Sequence, residues 1–470
     1  MNSSIRKVLL ILGSLFVATS CATYYQANFN FNEEFEKGNL EKALSTLRAH
    51  PSEAAGKRQF LFDVNNGLLL SLMGQYPESN EYFEKAYIFG EDYRVNYLNE
   101  AGSYLTNPNF TAYRGEDHEH LMILYFKALN YLKLGNYEDA LVECRRLNIR
   151  LQQLTDRYES DDKYKRDAFI NTLMGIIYDA DGDYNNAFIA YRNAVEVYDH
   201  DFTKLFGVKA PQQLKYDLLR TAHLSGMESD FDSYKAQFGM EDYAYAPSEG
   251  GDLVFFWHNG LSPIKAEWGI NFVIVRRGNT IIFSNPELGI SFPFDMSGYN
   301  ERDRVGLTSL DVFRVVFPKY VERPEYYARA TISVGDEGHP LQLLEDVNKV
   351  AFKCLDERMT LELSKALIRV ALKKFEEYEV KKSDRTLGSV LSVINAITEK
   401  ADTRNWQTLP HSIYYSRIPM KVGSNLVTFT TTDTQGRGQN HDFTYQVKKG
   451  QTVFHTFSSL ESEYPSYRNY

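Results

Sequence analysis

Cysteine is scarce in this chain, with three among 470 residues. Cys144 and Cys354 stand far apart, with no CxxC pair and no zinc-type spacing. Neither a disulfide framework nor a structural zinc site is built into such a sequence. Long apolar runs are missing too. Nothing beyond the first twenty residues approaches the roughly 18 apolar residues of a spanning helix. Positive charge is in deficit: 52 Lys and Arg face 62 Asp and Glu, for a net charge of −10. Phosphate binding needs clustered Lys and Arg, so nucleic acid is a poor partner class. A P-loop, a GxSxG elbow and an HExxH helix are all missing, as is a matched catalytic Cys and His. That leaves no marked site for nucleotide or hydrolytic chemistry and implies no cofactor.

What the chain has in excess is aromatic: 33 Tyr and 30 Phe. In a repeat protein such rings fill the space between helices. The N-terminus carries a different signal. Arg6 and Lys7 precede the apolar run Val8 to Ala18, which is too short to cross a bilayer but suits a secretory signal core. Ala18-Thr19-Ser20-Cys21 then resembles a bacterial lipobox, with Ala18 where Leu is usual. The resemblance implies that residues 1–20 leave as a signal peptide and that Cys21 is lipidated. Multiple acyl chains there would give stable anchoring. Ala22 and Thr23 follow, and no acidic residue appears before Glu33. By the sorting rules of diderm bacteria this implies the outer membrane, with the protein on its periplasmic face.

A Gly-x-aromatic-acid pattern recurs along the first half. Its clearest copies are Gly135-Asn136-Tyr137-Glu138-Asp139-Ala140 and Gly182-Asp183-Tyr184-Asn185-Asn186-Ala187. Weaker copies begin at Gly38 and Gly74. Seven residues before the turn Gly stand the small Gly67, Ala128 and Gly175. Four before it stand the bulky Leu70, Tyr131 and Tyr178. Nine after it stand Phe83, Cys144 and Tyr191. Twelve after it Ala86 and Ala194 fit, while Leu147 departs. Small residues let paired helices approach, and the rings fill the space beside them. The pattern resembles the tetratricopeptide repeat, a pair of antiparallel helices joined at a Gly turn. The spacings of 36, 61 and 47 residues between turn glycines predict extra chain at 96–115 and 155–165.

Pro247-Ser248-Glu249-Gly250-Gly251 marks a boundary. After it, Asp252 to Trp257 reads as a strand. Asn271 to Arg276 and Thr280 to Phe283 read as a hairpin around Gly278-Asn279, and Ala330 to Val334 as another strand. Leu343 to Lys381 has helical spacing, and a shorter helix is predicted at Leu387 to Thr398. Strands return at Ile413–Arg417, Leu426–Thr431, Phe443–Val447 and Thr452–Phe457. The expected fold is mixed. A tetratricopeptide-like α-helical repeat array at 21–246 precedes an α+β domain at 247–470, in which a small sheet packs on a helical hairpin.

Three stretches, Tyr113 to Asn148, His258 to Glu267 and Asp402 to Arg417, together resemble an uncharacterised family of bacterial tetratricopeptide-containing envelope lipoproteins. The motif residues are Tyr113, Glu119, Glu143, Arg145, Arg146, His258, Asn259, Lys265, Asp402, Arg404, Trp406 and Arg417. The resemblance implies an envelope setting and brings no catalytic residue with it.

The same residues have a physical reading. Asp117 is placed as a helix N-cap before the apolar run Leu121 to Leu124. Glu143, Arg145 and Arg146 form ion pairs that lock two helices, or else face a groove. His118 and His120 are two apart on a helix and point in different directions, so no metal site is expected. Asn259-Gly260 is a turn, and His258 beside it is a general-base candidate without a nucleophile. Trp406 lies in a polar loop, tucked into an interdomain seam or exposed as an interface anchor. The inner face of the best repeats is expected to carry Tyr125, Leu129, Leu132, Phe169, Thr172 and Ile176. These suit a partner peptide or helix, unless the chain's own second half fills the groove. The function expected is a lipid-anchored scaffold that binds another cell-envelope protein, in cell-wall or outer-membrane biogenesis. The alternative is an envelope hydrolase of unknown type with its site in the second domain.

Overall fold

Glycine at each repeat turn takes the left-handed conformation that a side chain resists. Gly38, Gly74, Gly135, Gly182 and Gly226 have φ between +72° and +82°. Each closes one helix and sends the chain back antiparallel. The pairs are α1 (Phe29–Glu36) with α2 (Leu40–Arg48), α3 (Gln59–Leu72) with α4 (Tyr76–Tyr97), and α5 (Asp117–Lys133) with α6 (Tyr137–Thr155). They continue with α7 (Ala168–Ala180) and α8 (Tyr184–Val197), then α9 (Gln212–Leu224) and α10 (Glu228–Phe238). This computed structural model describes residues 23–97, 111–155, 164, 166–247, 249–278, 280–287, 289–295, 297, 312–357 and 401–463. Cys21 and residues 1–20, expected from sequence to be a signal segment, lie outside them, as does the second predicted helix at Leu387 to Thr398.

The small residues of the repeat pattern do what their spacing implies. A Cβ added to Gly67 would sit 2.7 Å from Phe83, and one at Gly175 would sit 2.4 Å from Tyr191. Ala128 and Cys144 are fully buried at the matching positions. The pair at Gly226 is a fifth repeat. Its positions seven before and nine after the turn are Leu219 and Lys235, not small and aromatic, so the pattern does not reveal it.

The second half is sheet. One four-stranded sheet has the order β12-β1-β9-β8, from β12 (Thr452–Ser459), β1 (Gly251–Asn259), β9 (Ser412–Met420) and β8 (Gln342–Asp346). A second is β11-β10-β6-β7, from β11 (Gly438–Val447), β10 (Gly423–Asp433), β6 (Tyr327–Val334) and β7 (Glu337–Pro340). A third is β4-β3-β2-β5, from β4 (Ile290–Asp295), β3 (Thr280–Asn285), β2 (Ile264–Arg277) and β5 (Val312–Val321). Three sheets replace the one small sheet expected. The helix predicted from Leu343 begins later: 342–346 is strand β8, 347–357 is helical, and 358–400 lies outside the described residues. Pairing of Leu343 and Glu345 with Tyr414 and Ile413 overrides their helical spacing.

The sheets are layered on the repeats. Leu253, Phe255 and Trp257 of β1 face a core shared with Ile332, Val427 and Phe429 of the second sheet. The alternate residues Val254 and Phe256, with Ile413 and Tyr415 of β9, join the core of the helical array. The first sheet is therefore covered on both faces. That is why β1 reads as an unbroken apolar run instead of an alternating one.

Candidate functional site

The concave side of the repeats is occupied by the chain itself. Residues 401–411 run across the first helices of successive repeats. The Gln407 amide donates to Asn32 of α1 (2.5 Å), and the Thr408 hydroxyl to Asn65 of α3 (2.7 Å). The Trp406 backbone N–H donates to Glu119 of α5 (2.6 Å). Trp406 is fully buried between Phe83 and Phe126, with ring centroids at 5.9 and 6.0 Å. It stands in the seam and is not an exposed anchor.

Around this segment the motif residues converge. Arg404 pairs with Asp402 (2.7 Å) and donates to the carbonyls of Lys57 and Thr111, each at 3.0 Å. Its guanidinium lies over the Tyr113 ring, and the Tyr113 hydroxyl donates to Glu119 (2.8 Å). Lys265 of β2 pairs with Glu116. Glu116, not Asp117, holds the N-cap position of α5, and its N–H donates to Glu119 (2.9 Å). Burial, and then the Glu116 charge, push Glu119 up to about 7 against the pull of Lys265.

A second cluster centres on Arg417 of β9. It pairs with Asp179 of α7 (2.7 Å), Asp217 of α9 (2.9 Å) and Asp252 of β1 (3.2 Å). Arg220 also pairs with Asp179. Burial pushes Asp179 up, but Arg417 and Arg220 outweigh it and hold it below the ordinary carboxylate range. At Asp217 burial wins and the group is raised.

A third cluster joins the groove to His258. The Tyr125 hydroxyl lies 2.8 Å from His258 Nε2, and the Ser458 hydroxyl lies 3.3 Å from Nδ1. Burial, with Lys133 nearby, pulls His258 down to about 3. It is a neutral, enclosed ring at ordinary pH, which does not suit the general-base role considered from sequence. Asn259 donates to Glu325 and to the Tyr327 carbonyl, while Gly260 turns the chain at φ +62°.

The expected partner face is corrected here. Tyr125, Leu129, Leu132, Phe169, Thr172 and Ile176 are all buried, and Tyr125 touches His258 across the seam. They line no open groove, because strands β1, β8 and β9 and segment 401–411 cover the inner helices. Glu143 and Arg146 form a lattice with Lys127 and Glu84 that ties α4, α5 and α6, while Arg145 reaches the Tyr178 hydroxyl (3.3 Å). Lys127, Glu36 with Arg323, and Asp167 with Glu345 were missed from sequence. Lys127 is a charge set within the apolar run Leu121 to Leu132, which is a signal the sequence offered, whereas Glu36, Arg323 and Asp167 stand among other polar residues and carry no such mark. His120 bonds the Arg114 carbonyl (2.8 Å) and His118 lies edge-on to Tyr320. Among the described residues no group of three acidic, His or Cys ligands could hold a metal.

No family model matches the chain, and no curated protein does. Solved structures that overlap it include three repeat proteins. BtubC (BKLC) from P. vanneervenii shares 16% identity over 46% of this chain and 79% of its own, with a TM-score of 0.29. The apo form of RapI shares 15% over 50% and 58%, with a TM-score of 0.33. Kinesin light chain-type TPR-like repeats from Podosopora anserina share 13% over 46% and 94%, with a TM-score of 0.30. The repeat assignment rests instead on the helix pairs and their Gly-aromatic contacts.

Proposed function

We propose that this chain is a lipid-anchored envelope scaffold that binds another envelope protein without chemistry of its own, from the periplasmic face of the outer membrane. The observation that carries this reading is the closed seam. Tyr125 with His258, Glu116 with Lys265, Glu119 with Trp406, and Asp179 and Asp217 with Arg417 hold the repeats to the second half, and among the described residues none of these lines a cleft large enough for a substrate. The concave face is spent on the chain itself, so a partner meets the outer helices. There Val142, Arg145 and Ile149 form one exposed stripe along α6, at i, i+3 and i+7.

Photo-crosslinking in intact cells tests both parts. Probes at Ile149 are expected to capture a discrete partner, and probes at Tyr125 are not. Capture at Tyr125 alone would return the binding face to the groove. The anchor has its own test: Cys21→Ser is expected to move the protein from the membrane to the soluble fraction. Unchanged membrane association would sink the lipid reading. Turnover of peptidoglycan fragments, peptides or esters by the purified chain, abolished by substitution within the second half, would replace the scaffold with a hydrolase.

A further inference from the structure

We infer that the seam is an acid-held latch: Glu345 of β8 and Asp167 of α7 line one buried cavity between the halves, and closure keeps a proton on Glu345, so rising pH releases the sheet from the repeats.

The cavity is about 20 Å³, room for one water. His118 and Tyr125 of α5, Tyr164 and Asp167 before α7, and Glu345 of β8 supply its polar walls. The two carboxyls differ in support. Asp167 caps α7, with Oδ1 accepting from the Ile170 N–H (2.9 Å) and Oδ2 from the Tyr164 hydroxyl (2.7 Å). Glu345 Oε2 is buried and has no hydrogen-bond partner among the described residues. An ionised oxygen there would lose its water without replacement.

Among the described residues the neighbours of Glu345 supply no cation to offset its charge. Asp346 adjoins it on its own strand, and Lys349 of the following helix reaches Asp346 (3.4 Å) and the Phe206 carbonyl (2.8 Å). Tyr198, after α8, donates to the Leu344 carbonyl, and Tyr125 is engaged with His258. Glu357 sits further along the helix at 347–357, bonded to the Tyr164 N–H. Among the described lining residues His118 is the one base. Burial, then Asp167 and Asp346, push Glu345 well above the ordinary carboxylate range.

The sign follows. Glu345 supports the closed seam fully below the ordinary carboxylate range, and this support is lost as pH rises through its own raised value. Glu119, raised to about 7, acts in the same direction. His258 acts in the other: its support is full above the ordinary imidazole range and is lost as pH falls toward about 3. The seam is tightest at weakly acid pH.

Hydrogen exchange at β8 and β9 in the full chain, from pH 5 to 9 and corrected for intrinsic rates, reads the opening. Each proton released steepens the opening constant by up to about tenfold per pH unit. Wild-type protein should open progressively as pH rises, and Glu345→Gln should flatten that slope by one such factor. An identical slope in the variant, or no slope in the wild type, would overturn the latch. If the variant fails to fold, infrared spectroscopy of the wild type decides. A protonated-carboxyl band that persists at pH 9, above the range of Glu119 and Asp63, and vanishes with opening supports the latch, and loss of all such bands below the opening transition, or their absence, overturns it.

Discussion

At Gly175 one methyl group is enough to disturb the seam. The added Cβ would meet Tyr191, whose hydroxyl is itself tied to Asp179 (3.2 Å) and Arg417 (3.3 Å). The ring cannot step aside without moving that cluster. Gly175→Ala should therefore cost roughly 1–3 kcal/mol in thermal unfolding, and an unchanged melting temperature would refute this contact. Arg417→Ala removes the guanidinium that serves three carboxylates. Breaking a buried pair costs about 3–5 kcal/mol, because it orphans the remaining charges. Asp179 is held low in the wild type, so its share of stability is present above the ordinary carboxylate range and is lost as pH falls. The gap between Arg417→Ala and wild type should thus shrink on acidification, as denaturant melts at pH 7 and pH 4 would show.

Segment 401–411 shows what a single element can hide from its sequence. Asp402-Thr403-Arg404-Asn405 and Gln407-Thr408 look like solvated loop. All but Asp402, which braces Arg404, are instead bonded to the backbone or to a side chain of another helix or loop, because a polar groove floor of Asn32, Asn65 and Glu119 lies beneath. Local composition cannot report a partner nearly 300 residues away. The repeats were legible because the contact between Gly67 and Phe83 is local and recurs. The fifth repeat and β8 were not, since Leu219 and Leu343 break the local rule and are placed by neighbours. The strands β1 and β9 were legible from their apolar runs, but not the helices that cover one face of them. Trp406→Ala should leave a void between Phe83 and Phe126 and loosen this whole segment. Limited proteolysis is expected to cut within 401–411 several times faster than in wild type. Equal rates would mean that the polar bonds alone hold the segment.

At the scale of the molecule, the first sheet is clamped at both edges. Lys133 of α5 donates to the Phe454 carbonyl of β12, and Tyr198 donates to the Leu344 carbonyl of β8. Helices thereby cover strand edges that would otherwise recruit another chain. β12 lies parallel to β1, pairing Asp252 with Thr452 and Asn259 with Ser459. These partners are 200 residues apart, so the order of synthesis matters. The repeats emerge first, with Tyr125 and Phe169 still uncovered, and the sheet that hides them is completed only when β12 arrives. Loop-closure entropy makes so distant a pairing slow. A nascent chain therefore exposes apolar surface through most of its production. A ribosome stalled or a gene truncated before Thr452 should yield a product that binds hydrophobic dyes and aggregates, although every repeat is intact.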